Sequence, residues 1–160
     1  SRSVNLADYL PIDSFEHVAT GPFTHLYPKK GYTETAYKIL KNVPHISVYH
    51  KNEVPERLHF GSSPRIGDLV LIADLGTQIF FRPQGIPKDF LHAGHGFDNK
   101  NPEMYAIFKA VGPDFQSGRK ITNPIPNITL YPLVCRILGL QPGAHDADEA
   151  LASSLLKKTK

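Results

Sequence analysis

A chain of 160 residues with 41% hydrophobic and 10% aromatic content carries enough apolar material for one domain with a packed core, which excludes wholesale disorder. Its net charge of +3 is spread thinly, with Lys157-Lys158-Thr159-Lys160 the only dense basic run, so a basic face for a nucleic-acid duplex is excluded as well. No run of roughly eighteen apolar residues and no charged-then-apolar leader is present, so no stretch reads as a membrane span or a signal peptide.

The first residue is Ser1 and the only methionine is Met104, which reads as a chain that begins inside a longer translation product. The single cysteine, Cys135, can make neither an internal disulfide nor a thiolate metal site. It reads as a small core side chain, or as half of a bridge whose partner lies outside this sequence.

Val4, Leu6, Tyr9 and Leu10 form a short apolar patch closed by Pro11, and their spacing does not decide strand from turn. Residues 16–27 alternate loosely and predict one or two short strands before the Pro28-Lys29-Lys30-Gly31 turn. From Tyr32 the period changes. Tyr32, Ala36, Ile39 and Leu40 recur three and four apart, predicting a helix capped by Thr33 and stopped by Val43, since Pro44 disfavours helical dihedrals in the residue before it. Residues 45–50 alternate as a strand, and Leu58-His59-Phe60 is a candidate second one.

Asp68-Leu69-Val70-Leu71-Ile72-Ala73 is a continuous apolar run, as expected of a strand buried on both faces, with helices expected to cover both sides of its sheet. Gly76 turns the chain, and Thr77 to Phe81 is predicted to return as its hairpin partner. Residues 84–101, rich in Gly, Pro and Asp, read as a long loop of the kind that is functional or mobile. Residues 106–111 are a further predicted strand. Thr129 is read as the cap of a helix with Pro132 in its first turn, Gly139 at its end, and Tyr131, Val134, Cys135 and Leu138 on a core-facing stripe. Asn127-Ile128-Thr129 also matches a glycosylation sequon, but capping is the preferred explanation. Residues 146–160 read as a short amphipathic or frayed tail after a domain spanning 1–145.

Within the long loop lies Ala93-Gly94-His95-Gly96-Phe97-Asp98-Asn99. Glycines on either side remove the Cβ atoms that would crowd the histidine backbone, so the imidazole can be aimed into a tight site. His92 could mimic a ligand pair with it. His17, His25, His45, His50, His59 and His145 are read as solvent-facing or hydrogen-bonded, without carboxylate or cysteine partners at ligand spacing for His17, His25, His59 and His145. No phosphate-cradling glycine loop or self-contained Ser-His-Asp order stands out.

Several motifs occur in one order: Val54-Pro55-Glu56-Arg57, Ala73-Asp74-Leu75-Gly76, Gly94-His95-Gly96-Phe97-Asp98-Asn99, Phe108-Lys109-Ala110-Val111-Gly112-Pro113, and Tyr131-Pro132-Leu133-Val134-Cys135. In this series, from about Tyr32 to Pro142, the chain resembles the C-terminal part of the catalytic domain of the ectonucleotide pyrophosphatase/phosphodiesterases, of the alkaline phosphatase superfamily. The resemblance implies an α/β fold, the C-terminal portion of a three-layer α/β/α sandwich. It implies a hydrolase with two zinc ions that splits phosphodiester or pyrophosphate bonds of nucleotides and releases a nucleoside 5′-monophosphate. By the same resemblance His95 is a zinc ligand, and Asp98 and Asn99 hold its loop or orient it by hydrogen bonds.

The nucleophile and the other ligands of the family come from motifs absent here. The isolated chain is therefore expected to be inactive, with the missing N-terminal half of the catalytic domain as its partner. A secreted or cell-surface setting, with Cys135 bridged to a missing segment, also follows from the resemblance, although a single cysteine suits a cytosolic setting equally well. The alternative is a non-catalytic scaffold or interaction protein that keeps the fold without the two-metal site.

Overall fold

The computed structural model describes residues 2–87 and 94–157, which fall in two compact units, Ser1–Met104 and Tyr105–Lys160. In the first, strands β1 (Arg2–Asn5), β2 (Phe15–Val18), β3 (Phe23–Pro28), β4 (Ile46–His50), β5 (Leu69–Ala73) and β6 (Thr77–Phe80) accompany one helix, α1 (Thr33–Leu40).

The apolar run at 69–73 becomes β5, with all five residues buried, and it sits between β3 and β4 in an antiparallel sheet of order β2-β3-β5-β4. Alternation along the strand divides it between two cores. Leu69, Leu71 and Ala73 join Ala36 and Leu40 of α1 and Leu26 of β3, while Val70 and Ile72 join Val54 and Ile66, with Leu58 and Phe60 packed alongside. One face is thus covered by a helix and the other by the irregular segment that follows β4. Each fully buried aliphatic side chain contributes about 1.5–3 kcal/mol, so β5 is the energetic centre of the unit.

Helix α1 follows its period, but its cap differs from expectation. Tyr32 holds the cap position without a side-chain bond, and the Thr33 hydroxyl instead donates to Asp68 Oδ2 at 3.2 Å. Residues 58–60 are not a strand. Glu56–Leu58 is a 3-10 turn ended by His59 in the left-handed region at φ 47°, which no ladder accommodates. The predicted hairpin between β5 and the next strand does not form either. After the Gly76 turn β6 runs parallel to β1, with Val4 opposite Ile79, because β3 and β4 already occupy both edges of β5.

In the second unit, residues 106–111 have strand-like composition but join no ladder among the described residues; Ile107 is 96% and Val111 86% exposed. Helix α2 (Leu130–Ile137) is entered directly from a 3-10 turn, Asn127–Thr129, and Thr129 has helical dihedrals and forms no side-chain cap bond. Its buried hydroxyl has no partner among the described residues, so capping does not account for this threonine. The expected core stripe is only partly right. Cys135 is buried, but Tyr131, Val134 and Leu138 are exposed, and it is Leu133 that packs on Ala152 of α3 (Glu149–Ser154) and on Leu155 just after it. Cys135 has no disulfide partner among the described residues.

Helix α3 starts on Asp148, whose carboxylate accepts from the backbone N–H groups of Ala150 and Leu151. Glu149 is gripped by Arg136 and accepts from His145 Nε2 at 3.0 Å, so His145 does have a carboxylate partner, one helical turn ahead. Arg136 holds the Glu149 carboxyl below its ordinary range, with the His145 bond a smaller cause. No helix among the described residues is long and apolar enough to cross a membrane.

Candidate functional site

The described residues 94–101, which carry His95, form neither helix nor strand, so their shape depends on what holds them. Close approach is one constraint. A Cβ on Gly94 would lie 2.7 Å from Gln78 Nε2 on β6, and Gly96 has φ 91°, a conformation that side-chain-bearing residues rarely adopt, 3.6 Å from Pro22 Cγ. The chain thus passes close to β6 and to the connection before β3, with the His95 side chain exposed. His92 lies outside the described residues.

The second constraint is a charge clamp. Pro55, with its fixed φ, starts the 3-10 turn Glu56–Leu58, and Val54 anchors that turn in the cluster on Val70 and Ile72. Arg57 is thereby presented to the histidine segment. Its Nη1 donates to Asp98 Oδ1 at 2.8 Å and to Asn99 Oδ1 at 3.0 Å, and its Nη2 donates to Asp98 Oδ2. Asp98 Oδ1 also accepts from the Lys100 backbone N–H at 2.9 Å, and the Asp98 carbonyl accepts from both the backbone N–H and the side-chain amide of Asn101. A fork of this type is among the stronger polar contacts in proteins. Arg57 holds the Asp98 carboxyl below the usual carboxylate range against a smaller opposing push from burial, and Asp98 in turn raises the Arg57 guanidinium. Among the described residues neither Asp98 nor Asn99 bonds the His95 ring; both bond Arg57.

A cavity of about 210 Å3 separates this turn from Ser47 and Tyr49 on β4 and from Asp74 at the end of β5. Asp74 is fixed by His45, whose Nδ1 lies 3.2 Å from its carboxylate and whose own backbone is left-handed at φ 67°. The lining is polar.

Among the described residues no group of three or more His, Cys, Asp or Glu side chains could hold a metal ion. His95 is a suitable donor, but zinc takes three or four protein ligands, so the described residues do not fit a zinc pair by themselves. Sequence reasoning placed Arg57 in a motif without giving it a role. Its partner lies 41 residues further on, a separation that no local pattern encodes.

The type I phosphodiesterase / nucleotide pyrophosphatase family model matches residues 1–98, a stretch that takes in β1 to β6, Arg57, His95 and Asp98. The chain belongs to this family. It is 39% identical over 143 residues to human ectonucleotide pyrophosphatase/phosphodiesterase family member 7, covering 89% of this chain and 30% of that protein. Similarity to bis(5'-adenosyl)-triphosphatase ENPP4 of Bos taurus is 34% over 142 residues, with 88% of this chain and 30% of the relative covered. The chain thus spans under a third of the length of these curated relatives. Human ectonucleotide pyrophosphatase/phosphodiesterase 5 superposes with a TM-score of 0.90 at 31% identity over 98% of this chain and 41% of that structure. An inactive variant of the murine protein, solved in complex with AMP, superposes with a TM-score of 0.86 at 32% identity, over 98% of this chain and 41% of that one. The fold is accordingly the mixed α/β, alkaline-phosphatase-like one expected from the motifs.

Proposed function

We propose that this chain is part of a hydrolase that cleaves phosphodiester or pyrophosphate bonds of nucleotides and releases a nucleoside 5′-monophosphate. The observation that carries this reading is the family match over residues 1–98, which includes the glycine-flanked His95. The AMP held by the murine relative is of the product class proposed here. His95 would supply one ligand to a site of two zinc ions. When bound, such a pair would supply charge neutralisation at the phosphate and activation of a nucleophile.

This chain's own contribution is structural precision. Gly96 lets the backbone take a left-handed conformation beside Pro22, and Asp98 and Asn99 tie the segment to the sheet through Arg57. Because one imidazole cannot assemble the pair, the isolated chain is inactive, and the remaining ligands and the nucleophile come from the rest of the polypeptide. The exposed Ile107 and Val111, and the open face of α2 with Val134 and Leu138, support a domain completed by further chain. An extracellular or cell-surface setting is supported by relatives named as ectonucleotide enzymes.

The test is His95→Ala in the full-length protein, with zinc counted by atomic spectroscopy and turnover followed on a p-nitrophenyl ester of a nucleoside 5′-monophosphate. Bound zinc should fall from two toward one and turnover by more than about 100-fold, beyond what loss of an outer hydrogen-bond partner costs. Two zincs retained would overturn the ligand assignment, and absence of turnover in the unaltered full-length protein would overturn the activity.

A further inference from the structure

We propose that Asn127 is the acceptor of an N-linked glycan, in the triplet Asn127-Ile128-Thr129; this inference rests on the extracellular or cell-surface setting proposed above. The secretory glycosyl transferase requires asparagine, any residue except proline, then serine or threonine. Of the asparagines in the sequence only Asn127 meets that pattern. A threonine placed to cap a helix can produce the same triplet, and the structure removes that explanation. Thr129 holds the cap position of α2 with helical dihedrals, φ −61° and ψ −23°, and makes no side-chain cap bond. It is 1% exposed, and its Oγ1 has no partner among the described residues. A buried hydroxyl without a partner destabilises the folded state, so the fold has no use for this one. Glycosyl transfer does have a use for it. The transferase reads the hydroxyl on the extended chain, before folding buries it.

The asparagine, in contrast, stays outside after folding. Pro126 leads into the 3-10 turn Asn127–Thr129, and Ile125 and Leu130, on either side, pack on the small core of Leu133, Ala152 and Leu155. Between these two anchors Asn127 is exposed and Ile128 is 54% exposed. The turn therefore presents its first two residues to solvent, where a bulky hydrophilic group can stand without displacing the core. In the transfer, Asn127 Nδ2 attacks the anomeric carbon of an oligosaccharide carried on a lipid diphosphate. The new C–N bond forms as the C–O bond to the diphosphate breaks. The diphosphate leaves with the electron pair, and the amide nitrogen gives up one proton.

The test expresses the full-length protein in cultured eukaryotic cells and recovers it from the medium, the cell surface and the cytosol. Glycans are removed with a peptide N-glycosidase in heavy-oxygen water, which converts a glycosylated asparagine to labelled aspartate. The tryptic peptide 121–136 should then carry the label at position 127, while Asn123, which is followed by a proline, stays unlabelled as the internal control. Asn127→Gln should lose the glycan and migrate as a smaller species before any glycosidase is added. Thr129→Val, which leaves the asparagine in place and fills the same volume, should lose the label as well, and Thr129→Ser should keep it. An unlabelled Asn127 in protein recovered from the medium or the cell surface would overturn the proposal and leave the setting standing. Label that persists in Thr129→Val would also overturn it, since the modification would not depend on the triplet. Unlabelled protein found only in the cytosol would overturn both the proposal and the setting.

Discussion

Arg57 and Asp98, 41 residues apart in the chain, meet through a fork in which the guanidinium engages both carboxylate oxygens, and Asp98 in addition accepts from the Lys100 N–H. The contact links the turn after β4 to the segment that follows His95, and it has a defined pH dependence. The Asp98 carboxyl titrates below the usual range, chiefly because of Arg57. A depressed carboxylate pKa contributes stability that is complete above the unfolded value near 3.9 and is lost as pH falls through the lower folded value. Amide exchange at Lys100, corrected for intrinsic rates, should therefore show constant protection from pH 7 to about 4 and lose it only below. Asp98→Asn should be weakly protected throughout. Loss of protection between pH 7 and 5 in the unaltered protein would contradict the clamp.

The two glycines around His95 should respond differently to alanine. At Gly96, φ 91° makes a Cβ strained whatever the space around it, so Gly96→Ala should cost on the order of 1–2 kcal/mol of loop order. At Gly94 the new Cβ would meet only the end of the flexible Gln78 side chain, which can swing away, so the cost should stay within about 0.5 kcal/mol. Hydrogen exchange across residues 94–101 separates the two. Equal effects would show that the left-handed backbone is not what the segment requires.

How much of this was legible beforehand depended on whether the deciding contact was local. The run at 69–73 could be read as a doubly buried strand because burial on both faces removes alternation, and α1 declared its period through Ala36 and Leu40. The partner of β6 could not be read. Alternation fixes which residues face the core but not which distant edge is free, and the free edge belongs to β1. Helix α2 is apolar on more than one side, so its spacing could not choose between the Tyr131, Val134 and Leu138 stripe and the Leu133 contact that is buried. Leu58 and Phe60 are apolar because they cover β5, a reason that mimics a strand. The Arg57–Asp98 contact could not be read either, since it exists only once residues 57 and 98 are folded together.

His25 offers a second pH test, away from the loop. Its Nδ1 accepts from the Gly67 backbone N–H at 3.0 Å, which holds the ring neutral, and burial first, then the nearby His17, lowers its pKa. A histidine depressed in the folded state lets the unfolded chain bind the extra proton, so stability is complete above about 6.5 and declines as pH falls from there through the lower folded value. Melting of the unaltered protein should drop between pH 7.5 and 5.5 by more than melting of His25→Gln. An equal drop in both would mean that His25 does not supply this dependence.

The Thr24 hydroxyl gives a prediction of opposite sign. Thr24 lies on β3 opposite Leu71 of the central strand, is 1% exposed, and its Oγ1 has no hydrogen-bond partner among the described residues. Burying a hydroxyl without a partner costs about 1–3 kcal/mol, whereas valine fills the same volume with a methyl and suits a strand equally well. Thr24→Val should therefore stabilise the protein by about 1 kcal/mol or more, read as a higher denaturant midpoint with an unchanged slope. Thr129→Val, in the other compact unit and likewise unpartnered, should add to it independently. Destabilisation by Thr24→Val of the size expected for a lost hydrogen bond would show that this hydroxyl is satisfied in solution.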